Sequence, residues 1–86
     1  MRKELTDEDL EVLGRLFAQM FEEARSAWEL AMRTLRVDSR AYQLICQSGK
    51  RVQFTLAELR EEAAKRRWSD ERKDQVFGSY TYVLFD

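Results

Sequence analysis

The chain has 86 residues and a mass of 10.3 kDa, one domain's worth of sequence, and is read as a single domain over residues 1–86. Its 44% hydrophobic and 36% charged residues, with 15 bases against 16 acids, exclude a disordered chain and give no strong field towards a charged partner. Histidine is absent and Cys46 is the lone cysteine, which removes imidazole catalysis, His metal ligands, an internal disulfide and any CxxC pair.

Gly14, Gly49 and Gly78 are not spaced as a phosphate-cradling loop, so no cofactor is expected. No run approaches 18 apolar residues, and the opening Met1-Arg2-Lys3-Glu4 leads into acids. Neither a membrane span nor a signal peptide is therefore expected, and the thiol-poor composition fits the cytoplasm. Proline is absent where average usage of about 5% gives roughly four, a trait of helix-rich and of designed chains.

The first expected element is a long helix over residues 7–36. Thr6 is its N-cap with Asp9 three positions on, Asp7 and Glu8 face the positive end of the dipole, and Leu5 staples onto Leu10. Leu10, Leu13, Phe17, Met20, Ala24, Ala27 and Ala31 recur at alternating three-four spacing, a coiled-coil-like seam flanked by Leu16, Phe21, Trp28, Met32 and Leu35. A stripe that wide wants two neighbours. An unbroken thirty-residue helix, about 45 Å long, also overhangs a domain of this size, so it is expected to pair with a second copy. The alternative is a break at Gly14 or Glu22-Glu23 that folds the stripe into a helical hairpin.

A β-hairpin is expected next, with strands over 42–46 and 51–54 around the Ser48-Gly49 turn. Thr55, with Glu58 three residues on, is expected to cap a helix over 56–68. Ser69 can cap a further short turn to Gln75, stopped by Gly78, before an aromatic strand over 79–85. The expected fold is α+β in the order αββαβ, with a three-stranded sheet packed on helices. The stretch 42–63, with Gly49-Lys50-Arg51-Val52 running into a capped helix, resembles the hairpin-helix core of small phage head-tail joining proteins. That resemblance spans a quarter of the chain, carries over no functional residue, and implies at most a viral or mobile-element origin.

The functional expectation is binding without catalysis: a small adaptor or inhibitor that acts by steric occupancy of a protein partner and forms a homodimer or higher oligomer. Its self-association seam is Leu13, Phe17, Met20 and Ala24, and its partner surface is Glu8, Glu11, Glu22 and Glu29 or Tyr80 and Tyr82. The alternative is accessory nucleic-acid binding by Arg66, Arg67, Arg72 and Lys73 around Trp68, where cations meet phosphates and an indole stacks a base. A further alternative is a designed α+β domain with no natural function. Enzyme activity is not expected, because the carboxylate pairs Glu22-Glu23, Glu61-Glu62 and Asp70-Glu71 are adjacent on helices and point apart.

Overall fold

The computed structural model describes residues 4–78, which form three helices: α1 (Asp7–Thr34), α2 (Arg40–Lys65) and α3 (Asp70–Phe77). α1 begins at the expected capping box. The Asp9 N–H donates to Thr6 Oγ1 at 3.0 Å and the Thr6 N–H to Asp9 Oδ2 at 3.2 Å, satisfying two of the donors that a helix start leaves bare. α1 then runs unbroken to Thr34, where Leu35 turns extended while its N–H still donates to Ala31 O at 2.8 Å.

The five residues 35–39 reverse the chain. Ser39 caps α2 by accepting from the Tyr42 N–H at 3.1 Å, and its hydroxyl donates to Arg36 O at 2.7 Å. α1 and α2 therefore pack as an antiparallel hairpin of two long helices, each presenting a heptad seam. In α1 the seam is Leu10, Gly14, Phe17, Phe21, Ala24, Trp28, Ala31 and Leu35; in α2 it is Tyr42, Cys46, Gly49, Gln53, Leu56, Arg60 and Ala63. All of these are buried or half-buried. Trp28 Nε1 donates to Tyr42 Oη at 3.2 Å near the turn, and Arg66 reaches Asp7 at 3.0 Å near the open end. Facing residue numbers thus sum to about 71.

The expected αββαβ order and three-stranded sheet are overturned: the described residues are 83% helical and contain no strand. Residues 42–46, 51–54 and 56–65 belong to one helix. The cause lies in the seam of α2, whose Cys46, Gly49 and Gln53 are small or polar. They hide a seven-residue repeat and leave Leu44, Val52 and Phe54 to imitate strand alternation. Leu44 and Phe54 are in fact exposed. Thr55 is not a cap, since its hydroxyl donates back to Arg51 O at 3.0 Å within the helix. The hairpin-helix resemblance falls with the hairpin, and the expected strand over 79–85 lies outside the described residues.

α2 ends in a Schellman turn. The Trp68 N–H donates to Ala63 O at 3.1 Å and the Arg67 N–H to Ala64 O at 3.0 Å, with Arg67 at φ 63°. The turn delivers Ser69 as N-cap of α3, accepting from the Arg72 N–H at 3.1 Å, and Gly78 closes α3 at φ 77°.

α3 covers one end of the hairpin. Val76 and Phe77 are buried against Gly14, and Trp68 stacks on Phe77 with ring centroids 5.7 Å apart. Arg60 reaches out of the seam to anchor the far end of α3, donating to Asp74 Oδ1 at 2.6 Å and Gly78 O at 2.8 Å. The resulting body measures 43 × 33 × 16 Å with a radius of gyration of 14.8 Å, against about 12 Å for a compact chain of this length. It is a thin slab rather than a ball.

Candidate self-association face

A helix of 3.6 residues per turn carries a parallel row one residue before each seam position, rotated about 100° from it. On α1 that row is Asp9, Leu13, Leu16, Met20, Glu23, Ala27, Leu30 and Thr34; on α2 it is Ala41, Ile45, Ser48, Val52, Thr55, Leu59 and Glu62. Both helices are right-handed and antiparallel, so rows displaced in the same sense lie on one face of the hairpin. Asp9 and Glu62 put charge at the open end of the hairpin, and between them and the turn Glu23 is the sole charge in these rows. The rows one residue after each seam, on the other face, carry Glu11, Arg15, Glu22, Arg25 and Glu29 from α1 alone.

The apolar face is open. Leu16 is 51% exposed, Met20 43% and Leu30 60%, while Leu13, Ile45, Val52 and Leu59 are half-buried beside them. From Leu13 to Leu30 the α1 row is about 25 Å long at 1.5 Å per residue. An apolar stripe of that length on a small monomer marks an association surface more often than a solvated face.

The expected seam of Leu13, Phe17, Met20 and Ala24 is split by this geometry. Phe17 and Ala24 turn inward and pack on the core shared with α2, whereas Leu13 and Met20 lie in the open row. The spacing is the same, but the inner seam runs through Gly14, Phe21 and Trp28. Leu16 and Leu30 complete the open row, and a search for two heptad phases one residue apart finds them.

The acidic candidates lie along α1. Glu11 pairs with Arg15 at 3.6 Å and Glu22 with Arg25 at 2.6 Å, each within its own helix, while Glu8 and Glu29 are exposed. Tyr80 and Tyr82 lie outside the described residues.

The basic candidates are gathered at the α2–α3 junction, where most have partners within the chain. Arg66 donates to Asp7 Oδ1 at 3.0 Å, Glu62 Oε1 at 3.2 Å and Leu5 O at 2.7 Å, and the two carboxylates, Asp7 first, hold its pKa above the ordinary value. Arg72 lies over the Trp68 ring, its guanidinium carbon 3.7 Å from the ring centroid, and Lys73 pairs with Asp70 at 3.1 Å. Trp68 itself is buried, so it offers no open ring to a base.

Near the turn, Val37, Tyr42, Gln43, Cys46, Gln47 and Lys50 line an open depression of about 280 Å³. No carboxylate lines it, and among the described residues no polar or charged side chain is fully buried. No three Cys, Asp or Glu side chains among those residues are grouped to hold a metal, and no helix among them is long and apolar enough to cross a membrane. No family model matches the chain, and neither the curated proteins nor the solved structures contain a match to it.

Proposed function

We propose that the protein is a non-enzymatic, cytoplasmic interaction module that self-associates through the open face of its helical hairpin and acts by steric binding of a protein partner. One observation carries the reading: Leu16, Met20, Ala27 and Leu30 lie exposed in one heptad row of α1, with Leu13 half-buried at its start. A second heptad row, one residue out of phase with the first, has no use in a two-helix hairpin, whereas it is required of a helix that sits in a larger bundle. Marginal stability at this size favours the same reading, since association buries surface that one copy cannot. The acidic outer side of α1, at Glu8 and Glu29, remains available to a different partner.

Light scattering on a size-exclusion column over a hundredfold concentration range tests the reading. The unaltered protein should run as a dimer or larger species, and the double variant Leu16→Glu/Met20→Glu as a monomer with an unchanged helical circular dichroism spectrum. A wild type that stays monomeric throughout, or a double variant that still associates, overturns it. Nucleic-acid binding draws less support, because Arg66, Arg72 and Lys73 are engaged within the chain and Trp68 is buried.

A further inference from the structure

We infer that the open face is closed by a second copy of the chain about a two-fold axis parallel to the helices, so that α1 of each copy lies antiparallel on α2 of the other. The dimer is then a four-helix bundle with the two α3 helices outside. This inference rests on the self-association reading and adds its symmetry and register.

Three properties of the face select a second copy as its occupant. The first is size. Each layer is two helices wide, about 20 Å at the usual 8–10 Å spacing, and α2 with 26 residues is about 39 Å long. The footprint of about 780 Å² per copy matches the roughly 800 Å² per partner of a stable protein interface. The second is composition. A two-fold interface brings each patch against its own copy, so a face that meets itself must avoid like charges, and here Glu23 is the sole charge in the middle of the face, with Asp9 and Glu62 at its open end. The third is complementarity between the helices. α1 carries seven acids against three bases and α2 five bases against three acids, net -4 and +2. Placing α1 on α2 of the other copy opposes these signs, whereas the other two-fold, perpendicular to the helices, would lay α1 on α1 and repel.

The register follows from the fold. A two-fold parallel to the helices preserves height along them, so facing residues across the interface obey the same sum of about 71 that Trp28–Tyr42 and Asp7–Arg66 set within the chain. Met20 of one copy therefore comes opposite Val52 of the other, and Leu16 opposite Thr55. Two Met20 side chains sit on diagonal helices about 14 Å apart in a square bundle with sides of about 10 Å, beyond disulfide reach.

The test uses full-length chains in a Cys46→Ala background. Chains with Met20→Cys are mixed with chains carrying Val52→Cys, unfolded and refolded together, and oxidised; Leu16→Cys with Thr55→Cys repeats the test in the same register. The expected result is a cross-linked mixed dimer as the major product for at least one pair, with little linkage of Met20→Cys chains to each other. Self-linkage of Met20→Cys chains without mixed dimer overturns the parallel axis while leaving association intact. A protein that light scattering shows to be monomeric overturns both the axis and the self-association it rests on.

Discussion

Trp28 Nε1 donates to Tyr42 Oη at 3.2 Å across the hairpin, joining the last third of α1 to the first turn of α2. With Arg66 on Asp7 at the opposite end, this bond sets the register from which every facing pair is counted. Tyr42 is buried, so its hydroxyl gains little from water when the indole is its partner. Replacing Tyr42 with Phe keeps the ring and removes the bond. The expected loss is about 1 kcal/mol, or about 4–8 °C in Tm for a domain of this size, read by thermal denaturation. An unchanged Tm would show that ring packing alone sets the register.

Gly14 gives a sharper prediction. Glycine within a helix ordinarily costs about 0.5–1 kcal/mol relative to alanine, so Gly14→Ala should stabilise a free helix. Here the added Cβ would lie 2.5 Å from Val76 Cγ1 and closer still to Phe77 Cε1, and both neighbours are packed side chains of α3. Overpacking of this kind costs about 1–3 kcal/mol, which exceeds the propensity gain. Gly14→Ala should therefore lower Tm and loosen α3, visible as a changed Trp68 fluorescence. A higher Tm with unaltered emission would mean that α3 is not packed on Gly14.

Arg67 supplies the opposite sign. It occupies the left-handed position of the Schellman turn at φ 63°, where a residue with a Cβ is strained by about 1–2 kcal/mol. Part of that relief is offset in a glycine variant by the greater freedom of the unfolded chain. Arg67→Gly should raise stability by about 0.5–1 kcal/mol, measured by urea unfolding at unchanged m-value. Arg67 is exposed and no pairing of its side chain is needed for the turn. A loss of stability would place a role on its guanidinium that the backbone does not explain.

The start of α1 and the capping of α3 were legible in the sequence, and the start of α2 at Ser39 and the middle of the chain were not. Thr6 with Asp9, and Ser69 with Gly78, are local devices that start or stop a helix where the preceding chain is not already helical, as it is at Thr55. Residues 42–54 are different. A helix seam made of Tyr42, Cys46, Gly49 and Gln53 has too little hydrophobic contrast to betray its period, and Gly49 next to Ser48 imitates a turn. Only the long partner α1, which needs a neighbour along its whole length, makes those small residues a seam. The candidate site was half legible for a related reason: Leu13 and Met20 share the three-four spacing of Phe17 and Ala24, and one residue of phase separates the open row from the inner one. Spacing alone does not tell which row turns inward; the row through Gly14 does, and at Gly14 itself the close approach is made by Val76 and Phe77 of α3.

Cys46 offers a direct measure of how the seam opens. It is a free thiol buried between α1 and α2, and a thiol in apolar surroundings does not react until it is uncovered. Labelling of the native protein by an alkylating reagent should be slow and should become immediate in denaturant. If opening requires both unfolding and dissociation, the unfolded fraction of a dimer varies as the inverse square root of concentration. Labelling should then slow by about tenfold when protein concentration rises a hundredfold. The Leu16→Glu/Met20→Glu variant, lacking the open apolar row, should label at a rate independent of concentration. A concentration-independent rate in a protein that is dimeric by light scattering would mean that α2 parts from α1 without the two copies separating, and would locate the weak joint of the assembly within each hairpin rather than between them.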